Sequence, residues 1–355
     1  MPKPRARDLG LPFPGRPGPF NAITDVAGVQ VGFCTLTDPA RGMRTGVTAI
    51  LPRRETSPSP VWAGQFTLNG NGEMTGTHWI NDAGYFVGPI CLTNTHGVGA
   101  VHHGVTEWMI ETYADWFGRE HAWAMPVVAE TYDGILNDIN ALHVAPQDAR
   151  AAIEAAKGGF VAEGSTGGGN GMIAYEWKAG TGTASRGVTL AGQEFTVGVL
   201  VQANHGRRDW FQVLGRPVGR LMPEGAWRDR EQGSIIVVVA TDAPLSALTL
   251  RHLARRAAMG VARGGTPGGN SSGDIFLAFS TAHPGPMPQA AWPLISRSEL
   301  NQEIVDPLYL AAAEATEEAV VNAIVAGVDV AAVKPRGLVV KGIDTAALAA
   351  LFAGA

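Results

Sequence analysis

Apolar positions in this chain fall into two patterns, one suited to buried strands and one to helix faces. Five β-branched residues in succession, 235–239, follow Gly233 and Ser234 and precede Asp-Ala-Pro. Such a run between polar loops predicts a strand covered on both faces. Residues 275–279 predict a second, and shorter strands are expected within 21–32, 46–52, 87–93 and 125–130. Residues 173–178 and 195–202 alternate and are separated by Gly-rich turns, an antiparallel signal. The spacing of Val101, Val105, Trp108, Met109 and Tyr113 predicts a helix over 101–118, and 146–157 another. Leu245, Leu248, Leu253, Ala257 and Val261 predict a third, capped by Asp242 and stopped at Gly264-Gly265. An Ala-rich helix is expected from about Asp306 as cap to Gly327, then a strand over 338–342 and a short helix over 343–352. Residues 1–22, rich in Pro, Gly and Arg, read as an extended arm, and 228–233 as a charged, flexible lead-in to Ser234. No repeat and no shift in composition divides the chain, so 1–355 is expected to form a single domain.

Composition narrows the function classes. Apolar residues make up 45% and charged residues 17%, which supports a sizeable core. The net charge of −5 offers no basic face for nucleic acid. No apolar run of eighteen residues predicts a membrane span, and no apolar stretch follows the basic start. The expectation is a cytoplasmic protein; a periplasmic form without its leader would read the same. Cys34 and Cys91 cannot make a disulfide framework.

Candidate chemistry gathers at strand ends and glycine clusters. Ser234, at the mouth of its strand, is either a polar residue at a strand start or a nucleophile. Were the bond to Gly233 cut, Ser234 would carry both an Oγ and a free α-amine able to act as its base, with a reference pKa near ~8. Glu130 and Tyr132, two apart at a strand end, point the same way. They can hold a cationic amine and donate a hydrogen bond; the alternative is a turn residue and a half-buried Tyr. Asn204 closes another strand, as an oxyanion donor or a turn former. The cluster at 163–172 lacks the Lys of a phosphate loop and the dinucleotide fingerprint, and no cofactor is expected. His78, His96, His102 and His103 fit no metal-ligand spacing, so no metal is expected either. A second cluster, Gly268-Gly-Asn-Ser-Ser-Gly-Asp274, feeds directly into the 275–279 strand.

Several ordered motifs then resemble one family. They are N-A-I-T-D-V-x-G-V-x-V-G from Asn21, N-G-x-G-E-M-T-G from Asn69, E-T-Y-D-G from Glu130, V-L-V-Q-A-N ending at Asn204, G-S-I-I-V-V-V-A-T-D-A-P-L from Gly233 and G-N-S-S-G-D-I-F-x-A-F-S ending at Ser280. Together, over roughly residues 20–330, they resemble the DmpA/BapA family of L-aminopeptidase/D-esterases and β-peptidyl aminopeptidases. The resemblance implies a four-layer αββα sandwich like that of N-terminal nucleophile hydrolases, with different connectivity. It implies self-cleavage between Gly233 and Ser234 into chains 1–233 and 234–355, which stay together as a homotetramer of heterodimers. It also implies roles: Ser234 as nucleophile, Ser272 and Asp274 as the pair beside it, Asn204 as oxyanion donor, Tyr132 as pocket phenol. Glu130 is the candidate for holding the substrate's amine. The implied activity is release of N-terminal α-L-, D- or β-amino acids from short peptides, amides or esters. Rival readings place the nucleophile at Ser271 or Ser272, transfer the acyl group to an amine as ornithine acetyltransferases do, or keep the fold only for binding.

Overall fold

The computed structural model describes residues 4–354; residues 1–3 of the expected arm lie outside them. Strands β1 (Gln30–Asp38), β2 (Met43–Leu51), β3 (Val61–Thr67), β4 (Tyr85–Phe86), β5 (Ile90–Asn94) and β6 (Val127–Thr131) come from the first part of the chain. A small hairpin, β7 (Ile173–Ala174) and β8 (Trp177–Lys178), precedes the long β9 (Gly180–Leu190) and β10 (Gln193–Asn204). β11 (Ser234–Thr241) and β12 (Gly273–Ser280) follow, then a second small hairpin, β13 (Val330–Ala331) and β14 (Val339–Val340). Two sheets result, of order β1-β2-β5-β6 and β4-β3-β12-β11-β10-β9.

Alternation along β11 explains the layering. Ile236, Val238 and Ala240 point into a core shared with Val31, Ile50, Leu92 and Ala129 of the other sheet. Ile235, Val237 and Val239 point the opposite way, onto α6 (Ala247–Arg263) and α7 (Asp306–Val325). The four-stranded sheet is covered in turn by α2 (Val98–Thr112) and α4 (Pro146–Glu154), packed through Val101, Val105, Ala152 and Ile153. Helix, sheet, sheet and helix therefore stack in four layers, as the family resemblance implies. Both faces of β11 are buried, so it carries no polar position after Ser234 until Thr241.

Several local expectations are corrected. The helix expected over 101–118 breaks at Tyr113, whose backbone leaves helical geometry, and restarts as α3 (Ala114–Arg119). Asp242 does not cap α6: its carboxylate accepts from the Thr196 N–H at 2.8 Å, and Ser246 takes the cap, accepting from Thr249. Asp306 is the first residue of α7 rather than its cap. The strand expected at 338–342 is reduced to β14, and α8 (Thr345–Ala350) is capped by Asp344. The largest departure is β9, which sequence pattern had left as Gly-rich turn. Its Gly182 lies so close to α7 that a Cβ would sit 2.0 Å from the Ala319 carbonyl oxygen, and residues 180–185 of the strand are all small. The remaining helices, α1 (Thr77–Ala83) and α5 (Val218–Leu221), are short surface turns. Among the described residues no helix is long and apolar enough to cross a membrane.

Candidate active site

β11 runs antiparallel to β10 and parallel to β12, in a register that sets Asn204, Ser234 and Gly273 at one level. Ser234 is buried at the wall of a cavity of about 640 Å³, which Glu130, Thr95, Tyr132, Trp227 and Gly233 also line. The Gly273 N–H donates to Ser234 Oγ at 3.2 Å, fixing the hydroxyl at the strand mouth. Gly233 must be glycine: a Cβ there would lie 1.9 Å from the Asn204 carbonyl oxygen.

Because β11 and β12 are parallel neighbours, the second glycine cluster lies against Ser234. Ser272 and Asp274 flank Gly273, and Ser272 Oγ donates to Asp274 Oδ1 at 2.5 Å. Asn69 clamps the acid from the other side: its Oδ1 accepts from the Asp274 N–H at 2.6 Å, and its Nδ2 donates to Oδ2 at 3.3 Å. Burial pushes the Asp274 carboxyl up to about 6, against the pull of the Ser272 bond; the Glu231 charge adds to the rise and Asn69 reduces it. With its proton committed to Asp274, Ser272 is left with oxygen lone pairs, able to receive a proton from a neighbouring hydroxyl or amine.

Asn204 is held in one orientation. Its Oδ1 accepts from the Ile173 N–H at 2.9 Å and its Nδ2 donates to the Tyr132 carbonyl at 2.8 Å. Those two bonds identify the amide nitrogen and leave it one further hydrogen. Glu130 and Tyr132 do share the cavity, although β6 ends between them at Thr131. The Tyr132 side chain is half-exposed and folds back over Gly134. The buried Glu130 carboxylate accepts from the Glu73 N–H at 3.0 Å and from Thr95 Oγ1. Burial raises its pKa, and the two hydrogen bonds oppose that. Among the described residues no cation is ion-paired with it, although Arg230 and Lys334 line the same cavity, so the Glu130 carboxylate is free to take an ammonium.

Sequence pattern missed three supports: Asn69, Thr95 and Glu231. Asn69 stands in the N-G-N-G loop, a turn signal that says nothing about which acid it will clamp. The 228–233 segment, expected to be flexible, is tethered: the Trp227 and Arg228 N–H groups both donate to Glu176. The four histidines singled out earlier do not converge; among the described residues no group of three His, Cys, Asp or Glu side chains could hold a metal.

Comparison with known proteins finds relatives over nearly the whole chain. A model described as peptidase family S58 matches residues 21–337. The β-peptidyl aminopeptidase BapA of Sphingosinicella microcystinivorans is 49% identical over 345 residues, covering 91% of this chain and 86% of that protein. Among solved structures, the L-aminopeptidase D-Ala-esterase/amidase of Ochrobactrum anthropi superposes with a TM-score of 0.94 at 53% identity, over 99% of this chain and 98% of that one. It is described as a prototype of the serine aminopeptidases and a variant of the Ntn hydrolase fold. A β-aminopeptidase from a Burkholderia species gives 0.91 at 46% identity, with 99% of both chains covered.

Proposed function

This chain belongs to peptidase family S58, and from that premise we propose that it is a self-processing serine aminopeptidase acting on short peptides, amides or esters with a free N-terminal amine. One observation carries the reading: Ser234 heads a strand buried on both faces, with Asn204 level with it on one side and the Ser272–Asp274 pair on the other.

The first reaction is on the chain itself. Ser234 Oγ attacks the Gly233 carbonyl carbon, an O–C bond forms and the Gly233–Ser234 C–N bond breaks. The hydroxyl proton passes by way of the Ser272–Asp274 pair to the leaving nitrogen, which becomes the Ser234 α-amine. Water then adds to the ester carbon and the O–C bond breaks, giving the Gly233 carboxylate and restoring the Ser234 hydroxyl. In turnover the same oxygen attacks the substrate carbonyl and the substrate C–N or C–O bond breaks, the hydroxyl proton passing by way of the new α-amine, Ser272 and Asp274 to the leaving amine or alcohol. Water then hydrolyses the acyl-enzyme ester and frees the N-terminal amino acid. The free Asn204 amide hydrogen stabilises the oxyanion, a contribution on the order of 10²–10³ in rate where the geometry is good. Glu130 holds the substrate ammonium through a charge-assisted hydrogen bond.

Ser234→Ala is expected to give one uncut, inactive chain on a denaturing gel. Wild-type protein should yield a new N-terminus reading Ser-Ile-Ile-Val; any other terminus would refute the assignment. Glu130→Gln should raise KM for amine-bearing substrates about 10- to 100-fold, the worth of one hydrogen bond to a charged group, with little effect on an acyl substrate lacking the amine. A panel of α-L-, D- and β-aminoacyl p-nitroanilides measures which acyl group is preferred. Self-association of processed heterodimers into a tetramer is part of the same reading. Trp292 and Leu294, 86% and 91% exposed on one loop, offer it an apolar surface, and the particle mass in solution tests it.

A further inference from the structure

We infer that Glu231 is a positioning residue for the self-cleavage step, anchoring the segment ahead of the scissile bond so that the Gly233 carbonyl is presented to Ser234. The inference rests on the self-processing reading above and concerns a residue that takes no part in bond making. Glu231 precedes Gly233 by two positions and is buried although it is charged and lies in a connecting segment. Its Oε1 accepts from the Gly206 N–H at 2.9 Å and lies 3.4 Å from Thr266 Oγ1, while its Oε2 accepts from the Gly269 N–H at 2.9 Å. Gly206 is two residues beyond Asn204, and Gly269 opens the turn that carries Ser272. One carboxylate therefore ties the junction to the oxyanion side and the proton-transfer side at once.

Upstream, Glu176 fixes the same segment by accepting from the Trp227, Arg228 and Arg208 N–H groups. The five residues between Arg228 and Ser234 are thus pinned at both ends, and Gly233 has little freedom to swing away from Ser234. Preorganisation of this kind matters most for a reaction that happens once, because the scissile bond cannot be rebound in a better pose. The charged and titratable groups around Glu231 are Asp274, Arg228 and Tyr175. Its anion adds to the upward displacement of Asp274, so it tunes the pair as well as holding the strand.

The test is the rate at which full-length precursor disappears after synthesis in a cell-free system, read on denaturing gels over pH 4.5–8. Glu231→Gln presents an amide N–H₂ to a backbone N–H and should slow cleavage at least tenfold. Glu231→Asp keeps the charge but cannot span both amides, and should slow it less. The acidic limb of the cleavage profile should move to lower pH in Glu231→Gln, because Asp274 loses a neighbouring anion, and should stay in place in Glu231→Asp; a purely structural residue would not separate the two variants in this way. Thermal unfolding of each variant in the Ser234→Ala background reports whether the fold survives. Wild-type cleavage rates in both variants, or slow cleavage that tracks lost fold with no movement of the limb, would overturn the inference. A wild-type chain that never cuts would instead sink the self-processing reading itself.

Discussion

The two glycine clusters have nearly the same composition and opposite uses. The first, 163–172, is wholly buried through 167–171, where it wedges between β2, β5 and β9. At Gly168 a Cβ would sit 2.2 Å from Gln202 Oε1 and 2.6 Å from the Leu92 carbonyl oxygen, so the backbone itself fills the space a side chain would need. The second, 268–274, uses its backbone to reach: Gly273 donates to Ser234 Oγ, and Ser272 and Asp274 stand either side of it. Each cluster also lies beside a buried acid raised to about 6, Asp133 for the first and Asp274 for the second, in both cases chiefly by burial. Asp133 is bonded by the Thr45 hydroxyl and by the Asn94 and Asn137 side-chain amides. Asp274 is bonded to a serine beside the nucleophile. Both acids bond a hydroxyl, so position separates them: Asp274 stands on the strand paired with Ser234, and Asp133 does not.

The comparison breaks most visibly at the second cluster. Ser272→Ala and Asp274→Asn should each lower kcat/KM by about 10²–10⁴, the range for loss of general acid–base assistance. In the wild-type enzyme activity should climb with pH through about 6, as Asp274 ionises and accepts fully from Ser272.

Next in size is a stability effect both acids share. Each folded-state pKa lies above the unfolded value, so the folded chain holds the proton more tightly. Stability is then greatest below about pH 4 and declines as pH rises to about 6, by at most about 3 kcal/mol per acid. Denaturant midpoints of the Ser234→Ala chain should fall across that window, and adding Asp274→Asn should remove part of the fall. The smallest effect belongs to the first cluster. Gly168→Ala should cost about 1–3 kcal/mol of stability by overpacking, read as a lower Tm, while the molecules that fold keep wild-type KM.

These differences bear on what the sequence disclosed. β11 and β12 were legible because strands buried on both faces must be apolar throughout, and α6 and α7 because a helix on a sheet repeats its apolar face. β9 was not, since its composition answers to the closeness of α7, a fact of tertiary packing. Ser234 stood out by its place at a strand mouth, but Ser272 and Asp274 acquired roles only through resemblance, because adjacency across a parallel pair leaves no trace in spacing. Asp242 looked like a helix cap for a sound local reason and was diverted to a strand amide 46 positions earlier. Glu231 read as part of a solvated charge run, and only the fold shows it reaching two separate loops.

The strand order of the larger sheet has a lasting consequence for the proposed mature form. β12 and β11 lie between β3 and β10, so scission ahead of Ser234 would leave the C-terminal fragment's paired strands clasped on both edges by the N-terminal fragment. α7, from the C-terminal side of the junction, also lies across β9 and β10 from the other side. The halves would be interleaved like the leaves of a hinge, unable to part without unzipping two ladders, and the nicked molecule should melt in one transition and release its fragments only once denatured.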